Sequence, residues 1–190
     1  MHPIIHTPAF ILKSLESGEA NRRVWLFTRD YGLIVATVQG VRKPAAKLRS
    51  HLLDYTLVNV DLVKGRDVWR LVSASVENNP FINSYDELSA RTYIRALSLV
   101  ERLCIEEGVH EELFEHLVSV LSFVGKTQTD NKLFDAVVLW KILVLLGYID
   151  VPEEQHPLYS ISLGDISTIP GTVTKALVID VTNAIKRTHL

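Results

Sequence analysis

Residues 23–39 read Arg-Val-Trp-Leu-Phe-Thr-Arg-Asp-Tyr-Gly-Leu-Ile-Val-Ala-Thr-Val-Gln. Two short runs of β-branched and aromatic residues lie on either side of Arg29-Asp-Tyr-Gly32, a sequence typical of a tight turn. We therefore predict that residues 23–28 and 33–39 are consecutive strands of one β-sheet.

Three further segments of the first 80 residues have the character of strands. The apolar segment 4–15 precedes the turn-containing stretch, and residues 55–63 and 68–76 follow it, with a turn at 64–67 between them. Five short strands with a break at 40–51, after the third, predict an OB-like β-barrel. An SH3-like barrel of five strands would give nearly the same pattern, and periodicity does not separate the two.

Beyond Pro80 the apolar spacing changes from two residues to about 3.6, which indicates helices. One stripe runs from Tyr93 to Cys104 and a second from Leu113 to Val124. The third helix, predicted at 132–146, is apolar nearly all round and is expected at the centre of a bundle. Residues 150–171 are predicted to be an irregular loop or irregular β structure, and residues 172–188 a terminal helix.

These patterns predict an α+β multidomain chain: a barrel domain at residues 1–80 and an all-α domain at 81–190. Residues 1–80 contain 11 Lys and Arg against 7 Asp and Glu, whereas residues 81–190 contain 9 against 15. The change of sign near Pro80 suggests that the two halves have different partners. A lone cysteine, Cys104, excludes an internal disulfide and a multi-cysteine metal site, and we expect it to be an inert core residue.

The segment between Asp30 and Asp54 contains no acidic residue. It includes the sequence 40–50, Gly-Val-Arg-Lys-Pro-Ala-Ala-Lys-Leu-Arg-Ser, whose cations are Arg42, Lys43, Lys47 and Arg49. Four cations without a local counter-charge attract phosphates, and each contact releases condensed counterions. A solvated basic loop is the alternative on composition alone.

Further cations and aromatic residues share this half of the chain. They are Arg22, Arg23, Arg29, Arg66 and Arg70, with Trp25, Phe27, Tyr31, Tyr55 and Trp69. Proteins that bind single strands combine a cationic groove with aromatic faces on which bases stack. For Phe27, and for Trp25 of the same parity, a place in the barrel core is the favoured prediction, whereas Tyr31 lies in a turn and is expected to be exposed.

The order of these motifs resembles the RecO recombination mediator family. The resemblance is carried by Val24-Trp-Leu-Phe-Thr-Arg-Asp-Tyr-Gly32, Gly40-Val-Arg-Lys43, Lys47-Leu-Arg49, Tyr55-Thr56, Lys64-Gly-Arg66 and Leu145-Leu-Gly-Tyr148. A single Gly-x-Arg-Lys would mean little, but the series is in order and spans residues 1–150, about four-fifths of the chain.

The resemblance implies an OB domain followed by a helical domain, and a non-enzymatic role in recombinational DNA repair without a cofactor. Family members bind single- and double-stranded DNA, anneal complementary strands and help RecA displace single-strand-binding protein, commonly together with RecR. Arg42, Lys43, Lys47 and Arg49 match the family's motif and are the first candidates for DNA contacts. Arg22, Arg23, Arg29 and Arg66 are the second.

The chain departs from many family members after Leu-Gly-Tyr148. Those members carry four cysteines at a spacing suited to structural zinc, whereas residues 150–171 contain none, so we expect a short form without that site. The N-terminal sequence has no signal-peptide pattern and the most apolar run, 136–148, is too short to span a bilayer. We expect a cytoplasmic, nucleoid-associated protein without membrane partners.

Other chemistry receives little support from the sequence. The seven histidines, at positions 2, 6, 51, 110, 116, 156 and 189, form no metal-spaced motif and are expected at the surface or at helix ends. The acidic patch of Glu106, Glu107, Glu111, Glu112 and Glu115 is expected to be a solvated helix start. No phosphate-cradling glycine loop or Gly-x-Ser-x-Gly motif is present.

Three other functions remain as alternatives. The chain could be an adaptor of the repair machinery with weak DNA binding, or an RNA-binding OB protein. A nuclease that uses Asp54, Asp61 or Glu77 is the least favoured of the three.

Overall fold

The computed structural model describes residues 3–40, 48, 51–66, 68–81, 87–104, 107–126, 131–151, 158–159 and 161–188. The strands are β1 (Ile4–Ser17), β2 (Asn21–Thr28), β3 (Gly32–Val38), β4 (Leu57–Lys64) and β5 (Trp69–Asn78). The α-helices are α1 (Glu87–Leu103), α2 (Glu111–Ser122), α3 (Asn131–Leu145) and α4 (Gly171–Arg187).

The five strands close into a barrel in the order β1-β2-β3-β5-β4. All neighbouring strands are antiparallel except β3 and β5, which pair in parallel at Ala36 with Trp69 and at Thr37 with Arg70. The fold class predicted from the sequence, an OB-like barrel followed by helices, is confirmed.

The turn between β2 and β3 needs a glycine at its end. Gly32 has a φ of +65°, in the left-handed region that favours glycine. A Cβ atom on Gly32 would lie 2.0 Å from the carbonyl oxygen of Gly108. The buried Thr28 side chain holds the same turn, because its hydroxyl donates to the Gly32 carbonyl and accepts from the Tyr31 N–H.

Strand alternation decides which side chains fill the barrel. Val24 and Leu26 of β2 belong to its interior cluster, so Trp25 and Phe27 lie on the outer face. Phe27 is fully buried on that outer face, while Trp25 is only partly buried. The prediction that both fill the barrel core was therefore wrong about the face, because residues 24–27 are all apolar and alternation alone does not say which side is inward.

The chain divides into two compact units, each made of two segments. The first contains residues 1–82 and also 104–114, and the second contains residues 83–103 and 115–190. Within the first unit, Phe10 and Phe27 are paired across β1 and β2, and the ring of Phe114 covers both at centroid distances of 5.1 and 6.2 Å. Residues 104–114 thus belong with the barrel, although they come after α1 in the chain.

The second unit is built around α3, which packs against α1, α4 and a short 3₁₀ helix. Trp140 and Phe134 are among its largest buried side chains, so the predicted central position of this helix is confirmed. The 3₁₀ helix, Leu163–Thr168, is capped by Ser162, whose hydroxyl accepts from the N–H of Gly164. It corrects the prediction of purely irregular structure at 150–171.

One histidine contradicts the expectation of surface positions. His116 of α2 is 5% exposed, and its Nε2 lies 3.2 Å from the carbonyl oxygen of Val138, to which it donates. The pKa of His116 is lowered to about 4, because the effect of burial and the smaller effect of the Lys141 charge outweigh the hydrogen bond to Val138, which raises it. Over the described residues, the helices lack the length and apolarity needed to cross a membrane.

Candidate nucleic-acid interface

The four cations that the sequence places first lie outside the described residues. They are Arg42, Lys43, Lys47 and Arg49. On one side of this segment, the N–H of Gly40 donates to Asn21 Oδ1 at 3.1 Å, at the start of β2. Leu48, described within the segment, packs against the barrel core. The assignment of these four cations to DNA contacts therefore stays a prediction.

The cations of the second group differ in what surrounds them. Arg23 and Arg66 are exposed and Arg22 is partly buried, and within the described part of the chain none of the three is in an ion pair. Arg29, by contrast, donates to Glu111 at 3.2 Å. Three of the four side chains thus keep a charge that a phosphate can use.

A row of outward-facing residues crosses three neighbouring strands of the barrel. Arg23 of β2 is in register with Thr37 of β3, which is in register with Arg70 of β5. Arg70 is exposed, and it too is free of ion pairs among the described residues. We call Arg23, Thr37 and Arg70 the cationic row. Its ends are two strand spacings apart, about 10 Å.

Next to this row, on the same outer face of β2, lies Trp25. The Nζ atom of Lys13 is 4.8 Å from the centroid of the indole ring, and the guanidinium carbon of Arg23 is 5.3 Å from it. Lys13 is placed there by the pairing of β1 with β2, in which it is the partner of Trp25. A partly exposed aromatic ring therefore has two positive charges within 6 Å of its centroid.

A groove of about 370 Å³ lies at the other end of the cationic row. Only two residue pairs join β3 and β5, and the groove lies beside the second of them, Thr37 and Arg70. It is lined by Thr37, Gln39, Leu48, Val63, Arg70, Leu71 and Val72. Its wall thus combines one cation, two polar side chains and several apolar ones.

The segment that begins at Glu107 contacts the barrel where β4 ends and β5 begins. Glu107 accepts from Lys64 Nζ and from Trp69 Nε1, both at 2.9 Å. These two hydrogen bonds lower the pKa of the Glu107 carboxyl. The expected solvated helix start is confirmed for Glu111 and Glu112, which are exposed in the first turn of α2. It is wrong for Glu107, which precedes α2 and is paired with Lys64, so the charge of Lys64 is partly neutralised.

Tyr31 is also less exposed than its turn position suggested. Its ring packs edge-on against Trp69 at a centroid distance of 5.3 Å, and it is partly buried against the barrel core. Tyr31 is therefore a packing residue of this end of the barrel.

Comparison with known proteins shows which family the chain is similar to. Residues 1–79 match the family model described as "Recombination protein O N terminal". The barrel half of the chain is therefore similar to the N-terminal part of RecO proteins. The chain is 32% identical over 141 residues to the DNA repair protein RecO of Gloeothece citriformis, covering 72% of this chain and 49% of that protein. It is 29% identical over 146 residues to the RecO of Desulfitobacterium hafniense, covering 76% and 52%.

The resemblance to RecO inferred from ordered motifs is thus confirmed. The chain spans about half the length of the curated RecO proteins it matches. The match covers the strands that carry the cationic row and Trp25, because these strands lie within residues 1–79.

The RecO-like barrel holds two functional candidates that the sequence did not single out as sites. Lys13 lies beside Trp25 only through the register of β1 and β2, and Arg70 joins Arg23 only through the β3–β5 pairing. Arg23, Trp25 and Phe27 occupy every second position of β2, and this spacing is enough to predict that they share one face of the strand. The strand order, which brings β5 next to β3, has no local signal.

The three carboxylates considered for a nuclease make separate local contacts. Asp61 Oδ1 is 2.6 Å from His6 Nδ1, Glu77 accepts from Asn59, and Asp54 accepts from Ser14. Among the described residues, no group of three or more His, Cys, Asp or Glu side chains is arranged to hold a metal ion. The described carboxylates thus offer no support for metal-dependent cleavage.

Proposed function

We propose that this chain is a DNA-binding protein of DNA repair, in which the barrel unit holds the phosphates of the nucleic acid. The observation that carries the proposal is the cationic row on the outer face of an OB-like barrel, in a segment that matches the RecO N-terminal family. OB barrels bind oligonucleotides through the face of β2 and β3, which here includes Arg23, Trp25 and Thr37.

Charge argues for phosphate as the ligand. Arg22, Arg23, Arg66 and Arg70 are free of ion pairs in the described part of the barrel unit, and the sequence adds Arg42, Lys43, Lys47 and Arg49 in the neighbouring segment. Each phosphate contact releases counterions, so affinity would fall steeply with salt. Contacts of this kind hold the backbone without reading sequence.

The finer activities of the proposal come from the family resemblance. We extend it to binding of both single- and double-stranded DNA, annealing of complementary strands and loading of RecA onto DNA coated with single-strand-binding protein. A RecR-like protein, single-strand-binding protein and RecA would then be the partners, and the helical unit would support those contacts. Annealing in this scheme follows from neutralising charge and holding two strands together, without bond chemistry, cofactor or membrane attachment.

The test is a salt titration of oligonucleotide binding. The variant with Arg42, Lys43, Lys47 and Arg49 all changed to Glu should bind a single-stranded oligonucleotide much more weakly. Its plot of log affinity against log salt should also be flatter than the wild type's, by about 0.7 per lost phosphate contact. An unchanged slope would contradict the assignment of these residues.

Two alternatives are decided by companion measurements. An adaptor with weak DNA binding would retain single-strand-binding protein in a pull-down while free DNA shows no binding. An RNA-binding OB protein would prefer RNA in a competition between DNA and RNA of the same sequence. Cleavage of labelled oligonucleotides that depends on added metal would overturn the non-enzymatic assignment.

A further inference from the structure

Trp25 differs from the other two tryptophans of the chain in its surroundings. Trp69 is 3% exposed in the barrel core and Trp140 is 2% exposed in α3. Trp25 lies on the outer face of β2 and keeps part of its ring at the surface.

Phe27, on the same face of the same strand, is an aromatic residue with a purely structural role. Phe27 is fully buried, because the rings of Phe114 and His110 cover it. Trp25 instead has the cations of Lys13 and Arg23 over its ring. A cation over a partly exposed ring contributes less free energy than a stacked nucleobase does, so a base can replace one of the cations.

A cation displaced from the Trp25 ring by a base would gain a phosphate as its new partner. A nucleotide that stacks its base on Trp25 brings its phosphate within reach of the flanking charges, and Arg23 is in no ion pair among the described residues. Exchange of a cation–π contact for a stacked base and a charge-assisted hydrogen bond to phosphate is therefore favourable.

The surface continues from Trp25 across the barrel. Arg23 leads through Thr37 to Arg70, and Arg70 lines the groove together with Gln39, Val63 and Val72. Apolar walls with an amide and a hydroxyl suit an unpaired base, and Arg70 suits the phosphate next to it. The Trp25 ring, the cationic row and the groove therefore follow one another across the barrel surface.

We propose that Trp25, the cationic row and the groove form a track for single-stranded DNA, in which Trp25 stacks one base and the groove takes another. This inference rests on the proposed function and adds strand preference to it. Bases in a duplex are paired and stacked on each other, so only an unpaired strand can use Trp25 and the groove. Duplex would be held by phosphate contacts alone.

The chain contains a built-in probe for this track. Because Trp69 and Trp140 are buried, quenching of tryptophan fluorescence by a bound oligonucleotide reports mainly on Trp25. We expect a single-stranded oligonucleotide to quench the wild type, and an abasic strand of the same length and charge to quench it far less. Trp25→Leu should weaken binding of the single strand about tenfold and leave binding of the abasic strand within about twofold.

Two further variants separate stacking from folding and from charge. Trp25→Phe retains an aromatic face and should restore most of the affinity lost in Trp25→Leu. Arg23→Gln and Arg70→Gln should each flatten the salt slope, whereas Arg102→Gln, which removes an exposed cation from α1 of the other unit, should not.

Each outcome has one meaning. If the abasic strand and the normal strand bind equally and Trp25→Leu has no effect, the track is wrong while DNA binding through phosphates stands. If neither strand binds the wild type, the proposed function itself fails. If RNA quenches Trp25 and binds more tightly than DNA, the assignment of the track to DNA is overturned.

Discussion

The close approach of Gly32 to Gly108 predicts a specific loss of stability in the barrel unit. In Gly32→Ala, the new Cβ would lie 2.0 Å from the Gly108 carbonyl oxygen, so the backbone at Gly108 must move by more than 1 Å to reach ordinary contact. That movement breaks the hydrogen bond from the Gly108 N–H to the Tyr31 carbonyl, which is 3.3 Å long. It also strains the contacts of Glu107 with the barrel.

The expected magnitude has two parts. An alanine at a φ of +65° costs about 1 kcal/mol. Loss of the Gly108 hydrogen bond and of the neighbouring packing adds about 2 kcal/mol, for a total of about 3 kcal/mol.

Gly18 supplies a matched control in the same unit. Its φ is +64°, but a Cβ there meets no described atom within 4 Å. Gly18→Ala should therefore cost only the conformational part, about 1 kcal/mol. The assay is urea unfolding of both variants and the wild type, followed by circular dichroism. Equal unfolding midpoints for the two variants would refute the reasoning.

Two further predictions concern the buried His116 and the ion pair between Glu107 and Lys64. The folded-state pKa of His116, about 4, lies below its unfolded value, so the free energy of unfolding should fall as pH drops from about 6.5 towards 4, by up to about 3 kcal/mol. Urea unfolding at pH 4.5, 5.5 and 7 should show a shallower fall for His116→Gln, and an identical fall would contradict the assignment. Glu107→Gln keeps an acceptor for Trp69 but releases the charge of Lys64, so DNA affinity should rise and the salt slope should steepen by up to about one contact. A salt titration with unchanged affinity would place Lys64 outside the interface.

Much of the fold is predictable because its signals are local. The turn before Gly32 and the runs of β-branched and aromatic residues on either side of it lie within one stretch of 17 residues, and the predicted strand ends agree with β2 and β3 to within two residues. The same holds for α3, whose apolar surface on all sides predicts a central position.

The errors arise where distant segments meet. Glu107 has no local feature that points to Lys64 or Trp69, which lie 43 and 38 residues away in the chain. His116 is a polar residue between apolar helix positions, and its burial depends on the Val138 carbonyl as a partner from another helix. Such contacts are fixed by tertiary packing, which periodicity does not describe.

The candidate site was predictable in composition but not in arrangement. The cations and aromatic residues of the barrel half are visible in the sequence, and so is the shared parity of Arg23 and Trp25. Their position on the outer face, and the alignment of Arg23 with Arg70, depend on the strand order β2-β3-β5. The four cations of the family motif lie outside the described residues and rest on sequence alone.

The most direct test of the account is strand annealing. Two complementary labelled oligonucleotides coated with single-strand-binding protein are mixed with the wild type, or with the variant in which Arg42, Lys43, Lys47 and Arg49 are changed to Glu. The account predicts that the wild type accelerates annealing severalfold, and that the variant does so much less or not at all. Annealing that the wild type leaves at its spontaneous rate, or that the variant accelerates equally, would contradict the central claim.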